Sequence, residues 1–243
     1  MSEDNNDWRM HLITHLSEDW NSPWTNQLAP KGSQLTVVSI IKLNKKKQLS
    51  IALPNATALC ISSSRRAWKK AKKIRDGSKI DKSIKKEVNF NSNTEAFDYI
   101  ERVMESVVMA FTALEAFVNE NIPDTYKYHT KRKSEIILEV MDKNDIERWL
   151  SLDEKLSCVL PDAHDISAPK NHRCWSDFKK LKNIRNRVIH MKQEDRRSSG
   201  PDVITLWNDI FKIEPPYKQA KEVIDYFVKA TDNKPRWHGE YSD

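Results

Sequence analysis

The chain has 243 residues, 38% of them hydrophobic and 31% charged, with eight Trp and a formal charge of +6. That suffices for one large domain or a domain with an extension, and the aromatic content argues against a disordered chain. Four glycines, in no P-loop or G-x-G-x-x-G pattern, disfavour a phosphate-cradling loop and suit a helical protein with short connections.

Cys60, Cys158 and Cys174 are odd in number and far apart, which suggests neither a disulfide framework nor a zinc site. No apolar run approaches the roughly 20 residues of a membrane span. The stretch "MSEDNNDWRM" is acidic and polar, unlike a secretory signal. These features lead us to expect a cytoplasmic protein with no membrane partner, no metal and no cofactor.

Residues 1–34 hold Trp8, Trp20 and Trp24 among polar neighbours and read as an irregular arm. "LTVVSIIKL" (35–43) and "LSIALPNATALCISSS" (49–64) flank the basic "NKKKQ", and two strands joined by a basic turn fit best. The next segment reads as a basic helix or helical connector. Between Arg65 and Lys86 there are eleven Lys or Arg against two Asp. This local excess of nine, within a chain total of +6, leaves the remainder at −3. One segment therefore makes the protein basic, which points to a polyanion as much as to a solvated helix. Arg65, Arg66, Lys69, Lys70, Lys72 and Lys73 are its candidate RNA contacts. Trp68 lies among them, as aromatics do in single-strand binders, or tethers the helix to the domain.

From Thr94 the pattern changes. Phe97, Ile100, Val103, Met104, Val107, Val108, Phe111, Leu114 and Phe117 follow steps of three and four, so one long amphipathic helix is expected, capped by Asn93 or Thr94 and stopped before Pro123. Further helices are expected over about 131–142 and 144–159. "VLPDAHDISAPKNH" reads as a loop, followed by the helix "WSDFKKLKNIRNRVIHMK", the loop "EDRRSSGPD", a short helix "VITLWNDIF" and a last helix "YKQAKEVIDYFVKA". The expected organisation is a mainly α protein: an N-terminal extension (1–93) with a small β-hairpin and a basic helix, a bundle of four main helices (94–231), and a polar tail (232–243).

In "KKLKNIRNRVIHMK", Trp175, Phe178, Leu181, Ile184 and Val188 mark the buried stripe, and His190 falls off it. Asn186 and His190 are spaced i, i+4, close enough for their side chains to touch on a continuous helix. The stretch reads either as an ordinary core helix with a basic outer face or as a reaction centre. His can move a proton at neutral pH, Arg can fork onto phosphate oxygens, and Asn can orient either. No carboxylate cluster accompanies them to hold Mg²⁺. Such a set suits metal-independent RNA cleavage, in which the ribose 2′-OH attacks its own phosphate. One His cannot easily serve both faces of phosphorus, whereas two copies across a two-fold axis supply a second Arg and His.

"LKNIRNRVIHM" (181–191) resembles the signature of HEPN domains: Arg, a polar residue, three variable residues, then His, matched by Arg185, Asn186 and His190. "VVMAFTALEAFVNENI" is similar to a HEPN first helix. The resemblance covers about 94–231. It implies an α-helical bundle that dimerises through the motif helices, with Arg185 and His190 catalytic and Asn186 supporting them. It also implies a metal-independent endoribonuclease, of the kind found among bacterial toxins and anti-phage effectors. RNA (tRNA or mRNA), a second copy of the chain, and an antitoxin or defence-system protein would be its partners. Lys182 and Arg187 would touch the RNA backbone, and Glu115 can reach the site, although each also reads as a solvated or salt-bridged residue. Some HEPN domains are instead non-catalytic dimerisation, sensor or nucleic-acid-binding modules. A DNA-binding regulator lacks helix-turn-helix spacing here.

Overall fold

The computed structural model describes residues 7–11, 13–21, 26–130 and 140–241. The protein is mainly helical, with 56% helix and 11% strand, and it forms two compact units. The smaller comprises Met1–Leu59 and Pro235–Asp243, the larger Cys60–Lys234.

In the smaller unit, β1 (Ile13–His15) pairs with β4 (Gln34–Thr36), β2 (Trp20–Asn21) with β3 (Leu28–Ala29), and β5 (Val38–Lys42) with β6 (Gln48–Ala52), all antiparallel. The expected irregular arm therefore contains short strands, and Trp24 lies outside the described residues. β5 and β6 form an antiparallel pair, with Val38 opposite Ala52 and Lys42 opposite Gln48.

The expected second strand overshoots, because residues 56–64 are helical. Helix α1 (Ala56–Gly77) begins where Asn55 Oδ1 accepts a hydrogen bond from the Ala58 N–H at 2.7 Å, satisfying one of the donors a helix start leaves free. The boundary between the units falls inside α1, so the basic segment belongs to the larger unit rather than to an extension ending at residue 93.

Helix α2 (Asn93–Asn121) is capped by Ser92, whose side chain accepts from the Glu95 N–H. Of the expected stripe, Val103, Val107, Phe111, Leu114 and Phe117 are buried, Ile100, Met104 and Val108 are half-buried, and Phe97 is exposed. Small residues let α1 and α2 approach closely. The Ser64 hydroxyl donates to the Ser106 carbonyl at 2.7 Å, the Ser106 hydroxyl donates to the Ser64 carbonyl at 2.9 Å, and both residues are fully buried.

Strands β7 (Tyr128–His129) and β8 (Val140–Met141) pair with each other. The helix expected over 131–142 lies outside the described residues as far as 139, and its last positions are strand. Helix α3 (Lys143–Trp149) starts in a reciprocal cap between Asp142 and Asp145. Helix α4 (Leu152–Glu154), a π-helical turn (Lys155–Val159) and α5 (Leu160–Ala163) follow. The helix expected over 144–159 is thus broken at Leu150, where Ser151 caps a new start, and "VLPDAHDISAPKNH" is partly helical. Pro161 lies just past the π-helical turn, within a helical run that is continuous from Leu152 to Ala163. Lys155 is buried among polar groups, its Nζ donating to Asn119 Oδ1 at 3.1 Å and to the Glu147 carbonyl at 3.0 Å.

Helix α6 (Arg173–Ile189), α7 (Leu206–Lys212) and α8 (Pro216–Thr231) complete the larger unit. Helices α2, α6 and α8 pack pairwise and form its core. Phe111 of α2 meets Phe178 of α6 at 6.4 Å, and Phe117 meets Phe227 of α8 at 6.3 Å, between ring centres. Burying each such side chain is worth about 1.5–3 kcal/mol. The expected polar tail contains α9 (Arg236–Glu240), and beyond it Tyr241 packs on the Trp8 ring at 5.3 Å. No helix among the described residues is long and apolar enough to cross a membrane.

Candidate functional site

The last turn of α6 carries Arg185 and Asn186. Cys174, Phe178, Leu181 and Ile184 are buried, which fixes the rotation of the helix about its axis, while Trp175 and Val188 are only half-buried. With that rotation, the Arg185 guanidinium lies over the Phe111 ring of α2, 4.6 Å from its centre. Its Nη1 donates to Asn186 Oδ1 at 3.1 Å. The cation is held from below by the electron-rich ring face and from the side by the amide.

His190 does not continue the helix. It is the C-cap, at φ −122° and ψ 64°, and its N–H donates to the Asn186 carbonyl at 2.8 Å. The side-chain contact expected from the i, i+4 spacing therefore becomes a backbone bond, and the exposed imidazole projects from the helix end. Arg185 and Asn186 are joined by side chains; His190 is tied to Asn186 through the main chain.

Arg187 faces the fold rather than solvent. Its guanidinium donates to the buried Asp195 at 2.5 Å and to Asp209 of α7 at 3.4 Å. Asp195 also accepts from the Lys192 N–H at 3.1 Å and the Leu206 N–H at 2.7 Å. Burial alone pushes its carboxyl up, but the Leu206 and Lys192 N–H groups and the Arg187 guanidinium outweigh that and hold it below the usual carboxylate range. Asp195 thus anchors the segment that follows His190. It lies in a stretch that reads as a plain loop, and only its spacing from Arg187 hints at the role.

Lys182 and Lys179 share Asp153 of α4. Burial raises the Asp153 carboxyl and the two ammonium groups lower it, with a net shift downward. Glu115 pairs with buried Lys155 at 3.6 Å, and among the described residues no hydrogen bond links it to Arg185 or His190. Phe111, which reads in sequence as core alone, touches Arg185 from α2.

No family model, curated protein or solved structure matches the chain. The site therefore rests on its own geometry.

On α1, Arg66 donates to Ser62 Oγ at 2.8 Å and Arg65 is half-buried, while Lys69, Lys70, Lys72 and Lys73 are exposed. These four lysines form no ion pair among the described residues, which leaves a strip of uncompensated positive charge. No group of three or more His, Cys, Asp or Glu among the described residues is arranged to hold a metal ion.

Proposed function

We propose that this protein is a metal-independent endoribonuclease of the HEPN type, acting as a bacterial toxin or anti-phage effector. One α6 terminus is half of its site, and a second copy of the chain supplies the other half. The observation that carries this reading is the Arg185 guanidinium, fixed by Phe111 and Asn186, one turn before an exposed His190.

The chemistry follows from the residues. One His190 takes the proton of the ribose 2′-OH, whose oxygen attacks the adjacent phosphorus. Arg185 neutralises the negative charge that gathers on the phosphoryl oxygens. The other copy's His190 protonates the departing 5′-oxygen. The products are a 2′,3′-cyclic phosphate and a 5′-hydroxyl. Asn186 aims the guanidinium. The strip of Lys69, Lys70, Lys72 and Lys73, with Arg65 and Arg66, suits the RNA backbone. Arg187 and Lys182, engaged by Asp195 and Asp153, act by holding the fold around the site.

The test is incubation with total RNA or tRNA in EDTA. Wild type should leave 2′,3′-cyclic phosphate ends, and His190→Ala and Arg185→Ala should each slow cleavage by about 10²-fold or more. No cleavage by wild type, or equal cleavage by His190→Ala, would overturn the reading. The unpaired α1 lysines favour a second reading, a non-catalytic nucleic-acid-binding module. Salt-sensitive RNA binding without cleavage would select it.

A further inference from the structure

A concave site lies in the larger unit, lined by α1, α2, α7 and the residues that join α7 to α8. It is a cavity of about 540 Å³, within the roughly 300–1,000 Å³ typical of small-molecule sites. Part of its wall is aromatic. The buried Tyr99 ring stacks on Phe211 at 5.0 Å with 13° between planes, and the half-buried Trp68 of α1 lines the cavity beside them. Trp68, Lys72 and Arg75 are spaced i, i+4 and i+7, so one face of α1 turns toward this space.

Arg75 is already engaged. It forks onto Asp81 and donates to the Tyr99 hydroxyl at 3.2 Å and to the Phe211 carbonyl at 2.8 Å. It therefore braces the wall and fixes α7 against α1. Lys72 and Lys212 also line the cavity and are exposed, and among the described residues neither forms an ion pair. The exposed carboxylates of Asp76 and Glu214 share the rim, likewise unpaired among the described residues.

A flat indole, two unpaired ammonium groups and two unpaired carboxylates complement one kind of molecule well. It has a planar ring to stack, an anionic group, and hydroxyl or amino donors between them. We propose that this cavity binds a nucleotide, its base against Trp68, its phosphate at Lys72 and Lys212, and its sugar hydroxyls or base amino group at Asp76 or Glu214. The same short helix serves both places on this unit. Asp209 of α7 accepts from Arg187 on the motif helix, and two residues later Phe211 lines the cavity. The inference goes beyond cleavage, since binding here needs neither Arg185 nor His190.

The test is equilibrium dialysis of the full-length protein in EDTA with three probes: AMP, ribose 5-phosphate, and a short 2′-O-methyl oligoribonucleotide that cannot be cleaved. AMP or the oligonucleotide should bind and ribose 5-phosphate should not. Trp68→Ala should weaken binding roughly tenfold or more, and Trp68→Phe, which keeps a stacking face and fills the same half-buried position, should retain most of it. The double change Lys72→Ala with Lys212→Ala should weaken binding and flatten its salt dependence. Binding of AMP that Trp68→Ala weakens identifies a free nucleotide as occupant, and binding of the oligonucleotide alone that Trp68→Ala weakens identifies a nucleotide within a strand; both support the proposal. Failure of every probe, equal binding of ribose 5-phosphate and AMP, or wild-type binding by Trp68→Ala overturns it. Because the Trp68→Ala comparison reads this cavity and not the α6 terminus, where an RNA strand would also bind, its outcome is independent of whether the protein is a ribonuclease.

Discussion

In α6 of the larger unit, Phe178, Leu181 and Ile184 are buried and set the direction of every other side chain on the helix. In the β5–β6 hairpin of the smaller unit, Val38 and Ile40 are 54% and 67% exposed, and Leu43 and Leu49 are exposed as well. Both stretches are rich in apolar residues. The helix is placed by packing, the hairpin by paired backbone groups, and a two-stranded hairpin is marginal on that basis alone. Arg185 therefore sits on a rigid base, which is what a site that must position a charge requires.

Substitutions should separate the two regions sharply. The largest loss is expected at Phe178→Ala, which empties a fully buried position between α2 and α6 and should lower stability by about 3–5 kcal/mol in urea unfolding. Next is Asp195→Ala, which removes the nearest acceptor of the Arg187 guanidinium and leaves the Lys192 and Leu206 N–H groups without theirs. It should cost about 3 kcal/mol and loosen the segment after His190.

The same carboxylate gives a pH signature. Its folded pKa is depressed, so its contribution is fully present above the unfolded value of about 3.9 and fades as pH falls through the lower folded value. Wild type should lose stability on acidification in that window, and Asp195→Asn should show a shallower slope there. Ser106→Leu, which forces a larger side chain between α1 and α2, should cost about 1–3 kcal/mol. Ile40→Ser, on the exposed hairpin, should change stability by about 0.5 kcal/mol or less. A loss there as large as at Phe178 would show that the hairpin is buried in solution and would erase the contrast.

The centre of the α6 stripe, Phe178, Leu181 and Ile184, and much of that of α2 were legible in the sequence because burial there follows the helical repeat. The end of α6 was not. His190 continues the spacing on paper, but the chain turns off at Ile189, and the next residues are held by Asp195, whose partners Arg187 and Leu206 lie eight and eleven positions away. The first turns of α1 were also hidden. "ATALCISSS" suits a strand as well as a helix, and the deciding contacts are the Asn55 cap and the Ser64–Ser106 bonds across 42 positions. Phe111 reads as core from its spacing; its second role, beneath Arg185, depends on how α2 and α6 pack.

The central claim is that one α6 terminus is half of a site, and mixing subunits tests it most directly. Wild type is mixed with His190→Ala at rising ratios, the mixtures are unfolded and refolded together, and cleavage of RNA is assayed in EDTA. Cleavage should fall with the square of the wild-type fraction, because only a pair of wild-type chains holds the two His190 side chains the reaction needs. Cleavage that falls in simple proportion to the wild-type fraction would contradict the account.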